Sequence, residues 1–146
     1  PSGNGRYRLV GGHRRIRAAI KLKWMKISCT VIEQLSKSQE IVLMLAENLH
    51  RRDLTYTQEA KGYARFLTAG KKEGKTLFDL ARALKVSLSQ IETRLPLLKL
   101  TPEAQNLVDR GDLLLGHGKQ LARLPREQQN LYMARAQRRT VKNFAK

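Results

Sequence analysis

Ser87, Ser89, Gln90, Thr93 and Arg94 sit close together in the chain and combine short hydroxyls with one amide and one guanidinium. Hydroxyls suit phosphates or either base, glutamine can pair with adenine, and arginine with guanine. Such a set works only if one helix presents it to a groove and a second helix holds that one in place. Residues 77–95 supply both. Ala81 is the small residue that a close helix crossing needs. Leu80, Leu84, Val86, Ile91 and Leu95 recur where the two helices face each other and the core. The sharp turn between them falls at Lys85-Val86-Ser87, where many such motifs carry glycine. Lys85 must then accept a positive φ. The spacing therefore predicts a helix-turn-helix over about 77–97, with Ser87, Ser89, Gln90, Thr93 and Arg94 exposed on the second helix. Thr76, at the head of the first helix, joins this DNA-facing set. A plain helical hairpin with a solvated polar face would use the same pattern.

Charge favours the nucleic-acid reading. The 146 residues carry 29 Lys and Arg against 12 Asp and Glu, a formal net charge of +17. A chain this basic is suited to a polyanion, because neutralising phosphates releases counterions. Both halves of the chain are net positive, so folded faces rather than a basic tail carry the charge. Aromatics are only 5% of the residues, so the core must be mostly aliphatic, which favours helices.

The remaining elements follow from caps and periodicity. Residues 6–10 alternate polar and apolar and suit a short strand, which Gly11-Gly12 ends. Residues 13–22 read as a basic helix with Ile16, Ala19 and Ile20 on one face. Residues 26–33 are rich in β-branched side chains and suit a second strand. Cys29 lies in that stretch as the single cysteine, which excludes an internal disulfide and suggests a buried thiol. From residue 36 onward everything reads helical. Ser36 or Ser38 caps a helix to about Leu49, Thr57 one to about Ala69, Thr76 one over Leu77–Leu84, and Ser87 one over 88–98. Thr101-Pro102 starts a helix that Gly111 stops, another begins near Gly116, and a last one follows Pro125. The expected class is mainly α, with a small partial α/β piece over 1–55 and an all-helical helix-turn-helix domain over 56–146. No apolar run is long enough to span a bilayer, and no signal-peptide pattern is present. A cytoplasmic address fits. Pro1 rather than Met opens the chain, which fits a processed or cut piece.

Three ordered stretches resemble the ParB family of plasmid and chromosome partition proteins. Tyr7-Arg-Leu-Val-Gly-Gly-His-Arg-Arg-Ile-Arg-Ala18 is similar to the family's strand and GERRxRA box. Glu47-Asn-Leu-His-Arg-Arg-Asp-Leu54 is similar to its ENLQRxDL box. The helix-turn-helix with Leu95-Pro-Leu-Leu-Lys-Leu100, and then Leu113-Leu-Leu-Gly-His-Gly-Lys119, is similar to its LLRLLKL and GHAR stretches. The resemblance implies that the first two boxes bind the phosphates of CTP and a magnesium ion. Gly11, Gly12, His13, Arg14, Arg15, Arg17, Asn48 and Arg51 would then face nucleotide, and Glu47 with Asn48 the Mg²⁺. The residue types agree: glycines admit a phosphate to a helix start, and carboxylate and amide oxygens suit a hard cation. Without the resemblance the same residues read as a basic amphipathic helix and an ordinary helix end. The resemblance further implies a homodimer on a palindromic centromere-like site, a CTP-gated clamp that could carry CTPase activity, and a ParA-type ATPase as partner. His13 stands where the family usually has Glu, Leu88 where it often has a basic residue, and Pro96 late in the recognition helix.

Two other functions use the same residues. A plasmid-type transcriptional repressor on this scaffold would differ only in gene neighbourhood. A metal-dependent DNA nuclease needs clustered carboxylates, and acids are scarce here, with Glu47 and Asp53 the candidate pair, so it ranks behind. His50 and His117 lack Cys or His partners at ligand spacing. His50 fills the Gln place of its box, and His117 is expected to cap a helix start near DNA phosphate, with Lys119 beside it.

Overall fold

The computed structural model describes residues 6–51 and 54–133. Their regular structure is helical: α1 His13–Lys21, α2 Lys37–Arg51, α3 Tyr56–Gly70, α4 Leu77–Leu84, α5 Leu88–Arg94, α6 Pro102–Arg110 and α7 Leu115–Leu121, with α8 over 126–133. Short 3₁₀ turns at Lys71–Glu73 and Leu95–Lys99 join α3 to α4 and α5 to α6. The mainly α class expected from the sequence holds. The two expected strands do not form: 7–10 and 26–33 are without ladder partners among the described residues, and only Arg6 is bridged. An extended segment is held by a neighbour's hydrogen bonds, and alternation alone does not supply one. Without a sheet to cover it, Cys29 is exposed rather than buried. Ile20, expected on the apolar face of α1, is 69% exposed, and Ala19 alone of that face is buried.

Reciprocal caps fix where the helices start. Ser36 Oγ accepts from Gln39 N, and Gln39 Oε1 accepts from Ser36 N at 2.9 Å. Ser36 is thus the cap of α2, while Ser38 is buried and donates to the Glu73 carboxylate at 2.6 Å. Thr55, not Thr57, caps α3, paired with Gln58. The box of a hydroxyl residue followed three later by Gln or Glu is complete at 55–58 and absent at 57–60. Thr57 lies inside the first turn, where its N–H and hydroxyl both donate to Asp109 of α6, as does the Thr55 hydroxyl. Asp109→Ala should leave those donors without their acceptor and cost about 1–2 kcal/mol, read as a lower urea midpoint. An unchanged midpoint would show that water replaces the carboxylate without loss.

Two apolar clusters hold the bundle. The first joins Leu45 of α2, Tyr63 and Phe66 of α3, Leu80, Ala81 and Leu84 of α4, and Ile91 of α5, with Val86 and Leu95 packed against it. The second joins Leu97, Leu100, Ala104, Val108, Leu113, Leu121 and Ala122. A Cβ on Gly118 would lie 2.8 Å from Val108 Cγ2, so the absence of a side chain lets α7 close on α6. In α8, the buried Gln129 amide accepts from Thr101 N and donates to the Lys99 and Leu124 carbonyls, tying α8 to the start of α6.

The turn between α4 and α5 has the geometry its sequence demands. Lys85 takes φ 56 and ψ 39. Its N–H reaches the Arg82 carbonyl, and Val86 N–H reaches Ala81 O at 3.1 Å, the double closure of a Schellman turn. A Cβ is disfavoured in that conformation, so Lys85→Gly should raise stability by about 1 kcal/mol. A lower thermal midpoint for this variant would contradict the strain.

Candidate nucleic-acid interface

The helix-turn-helix presents the start of α5 outward. Ser87 caps it by accepting from Gln90 N at 3.1 Å. Ser87, Leu88 and Ser89 are exposed, while Gln90 and Thr93 are half-buried. The Thr93 hydroxyl donates back to the Ser89 carbonyl at 2.7 Å, which uses its hydrogen inside the helix. Thr76 caps α4 against Asp79, whose carboxylate accepts from both Thr76 N and Oγ1 at 2.8 Å. Those contacts, the backbone one first, hold the half-buried Asp79 carboxyl below its ordinary value. A carboxylate therefore sits at the head of α4, where Thr76 was expected to face DNA.

Arg94 departs from the expectation that it projects outward. Its side chain is only 14% exposed and lies against α3, with Nε 2.9 Å from Glu59 Oε2. The Nε–H is not aligned on that oxygen, so this is an ion pair rather than a directed hydrogen bond. The Tyr56 ring covers the guanidinium at 5.3 Å. Glu59 also accepts from the fully buried Tyr63 hydroxyl at 2.7 Å. Burial, and then that bond to the carboxylate, push the Tyr63 hydroxyl above the ordinary tyrosine range and keep it a donor. Its raised value in the fold contributes stability below the free tyrosine range that is lost as pH climbs through it. Glu59 and Tyr63 are functional candidates that the residue pattern did not flag. The signal was there: Glu59 lies four residues before Tyr63 in the apolar stripe of α3, and a buried acid needs a cation.

His117 is the third residue of α7, not its cap, and Leu114 precedes the helix with no side-chain cap. Its Nδ1 is buried without a partner among the described residues, and Lys119 is half-buried beside it. α7 packs against α5, so both residues lie on an element that supports the recognition helix.

At the other end, a cleft between α1 and α2 is lined by Val10, Gly12, His13, Arg14, Arg15, Met44, Glu47 and Asn48. Gly12 takes φ 77 at the head of α1, which has no side-chain cap. A Cβ on Gly11 would meet Glu47 Oε2 at 2.7 Å. Asn48 donates its amide hydrogen to Met44 O, which turns its nitrogen onto its own helix. Gly12, His13, Arg14, Arg15, Glu47 and Asn48 thus come together, with Gly11 against Glu47. Arg17 is exposed and outside the lining. The side chains of Arg51 and His50, and all of Asp53, lie outside the described residues. Among the described residues no group of three His, Cys, Asp or Glu could hold a metal ion by itself.

Comparison with known proteins decides the family. The ParB HTH domain model matches residues 52–143, and the ParB N-terminal domain model matches 1–49. The chain belongs to the ParB family. It is 36% identical over 127 residues to the chromosome-partitioning protein Spo0J of Thermus thermophilus, covering 87% of this chain and 45% of that protein. It is 34% identical over 122 residues to the nucleoid occlusion protein of Geobacillus kaustophilus, covering 84% and 42%. The chain therefore spans less than half the length of these curated relatives. Among solved structures it resembles the C-terminally truncated ParB of Caulobacter crescentus complexed to the centromeric parS site, with a TM-score of 0.64 and 30% identity. That match covers 84% of this chain and 63% of the other. Within the ParB HTH domain lie α3 to α8, including both helices of the motif. No helix among the described residues is long and apolar enough to cross a membrane.

Proposed function

We propose that the chain is the nucleotide- and DNA-engaging part of a partition protein that binds a palindromic, centromere-like duplex through the N-terminal turn of α5. What carries this reading is the likeness to a ParB held on its parS site over 84% of the chain, beside the ParB HTH domain match over 52–143. The exposed Ser87 and Ser89 at the head of α5, under a net charge of +17, supply the contacts and the attraction. The protein would work as a homodimer in the cytoplasm, on a nucleoid or plasmid, with a ParA-type ATPase as partner.

CTP with Mg²⁺ fits the cleft at α1. Gly11 lies against the Glu47 carboxylate and Gly12 beside the Arg15 guanidinium, the uncapped start of α1 offers N–H groups, and Arg14 and Arg15 line the same wall. Glu47 would repel bare phosphate, so the fit needs a cation between them, held by Glu47 and the Asn48 amide oxygen. When bound, the ion would neutralise the phosphates while the arginines orient them. A clamp that closes on CTP follows from this reading.

Selection of the chain against a random duplex pool at near-physiological salt tests the DNA reading, because backbone-only binding fades there. Enrichment of one palindrome supports it. Recovery of no common sequence would remove site-specific readout from this chain.

A further inference from the structure

We propose that Arg94 is a positioning residue, which sets the angle of the recognition helix by locking its last turn onto α3 through Glu59, and contacts no DNA itself. This rests on the reading of α5 as the DNA-reading helix. The helix is only seven residues long, too short to hold itself, and Pro96 ends its regular hydrogen bonding just beyond. Its orientation must therefore come from what it packs on. Ile91, fully buried, fixes one point in the core. Arg94 fixes the second.

Direction along the helix separates the two roles. At about 100° per residue, Arg94 lies about 60° from buried Ile91 and about 140° from exposed Ser89. Gln90 lies on the Arg94 side, and both line one cavity with Tyr56, Glu59 and Asp109. The chain of contacts is continuous: the Tyr63 hydroxyl holds Glu59, Glu59 pairs with Arg94, and Tyr56 covers the cation. Glu59 is 8% exposed, so it has little water to replace a lost partner. The cation also stands at the C-terminus of α5, where the helix dipole favours it.

A positioning cation and a phosphate contact make different marks on binding. Loss of a phosphate contact flattens the dependence of log affinity on log salt by about one unit and weakens all duplexes alike. Loss of the lock leaves the exposed contacts in place but spreads α5 over several angles. If about a tenth of molecules hold the competent angle, affinity for the selected palindrome falls about tenfold.

The experiment measures the affinity of the 146-residue chain for that palindrome and for a scrambled duplex at several salt concentrations. The variants are Arg94→Met, Arg94→Lys, Glu59→Gln and the Met/Gln double. Expected are a roughly tenfold loss on the palindrome with Arg94→Met, unchanged scrambled binding, and an unchanged salt slope. Arg94→Lys should restore most of the loss, and the double variant should be no worse than the worse single. A salt slope flattened by Arg94→Met, with Glu59→Gln like the unaltered chain, would place Arg94 on a phosphate and overturn the proposal. Should Arg94→Met unfold, Tyr63→Phe keeps the buried ring and removes only the hydroxyl on Glu59. It should cut discrimination between the two duplexes, and unchanged discrimination would overturn the lock. An unaltered chain that tells no duplex from another would instead sink the DNA reading itself.

Discussion

Ser89→Glu is expected to abolish duplex binding while leaving the protein as stable as before, or slightly more so. Ser89 is exposed on the second residue of α5, and its side chain makes no contact that the fold needs. A carboxylate there meets the positive end of the helix dipole and gains about 0.3–1 kcal/mol. Against DNA the same charge faces phosphates across a groove. A loss of about 3 kcal/mol, more than a hundredfold in affinity, is the expected scale. Ser89→Ala, which removes one hydroxyl, should cost far less. Fluorescence anisotropy with the selected duplex, beside a thermal melt, separates the two effects. Unchanged affinity for Ser89→Glu would mean that the first turn of α5 does not approach DNA, and the proposed docking would fail with it.

The contrast between Ser89 and Arg94 marks how far the residues could be read without coordinates. Caps and apolar spacing are local, and they placed α4 over Leu77–Leu84 and the positive φ of Lys85 correctly. Ser87 as the cap of α5, and Gly111 as the stop of α6 with φ 83, are legible for the same reason. What a polar residue at the end of a short helix touches is not local. Arg94 looked free because arginines usually are, and its partner lies on another helix, 35 residues earlier. Glu59 gave the missing clue, since an acid in the stripe with Ala60, Tyr63 and Phe66 must find a cation or a donor. The strands failed on the same ground: alternation over 26–33 describes a segment that could line a sheet, and the sheet is not among the described residues. The arrangement of α1 against α2 was legible only through the family resemblance, because Gly11 and Glu47 are far apart in the chain.

That close approach gives the sharpest test of the nucleotide site. A valine at residue 11 would put its Cβ 2.7 Å from Glu47 Oε2, inside any tolerated contact, and two further methyls behind it. Glu47 must swing away or the Gly11-Gly12 backbone must retreat from α2. Either movement takes the proposed cation ligand out of line with the start of α1. Gly11→Val should therefore lose measurable CTP binding in the presence of Mg²⁺, at least about a hundredfold in Kd. The melt should shift little, because residue 11 belongs to neither buried cluster. Calorimetric titration with CTP and Mg²⁺ is the measurement, with the unaltered chain as baseline. Heat from neither protein would take nucleotide binding away from this chain altogether. Equal binding by both would move the phosphates away from residue 11. Glu47→Gln then tells metal from space, since it keeps the shape and removes the charge. If a bridging cation is what makes the acidic wall tolerable, Glu47→Gln weakens CTP binding with Mg²⁺ present. It should leave binding in EDTA no weaker than that of the unaltered chain, because the repulsion between carboxylate and phosphate disappears with the charge.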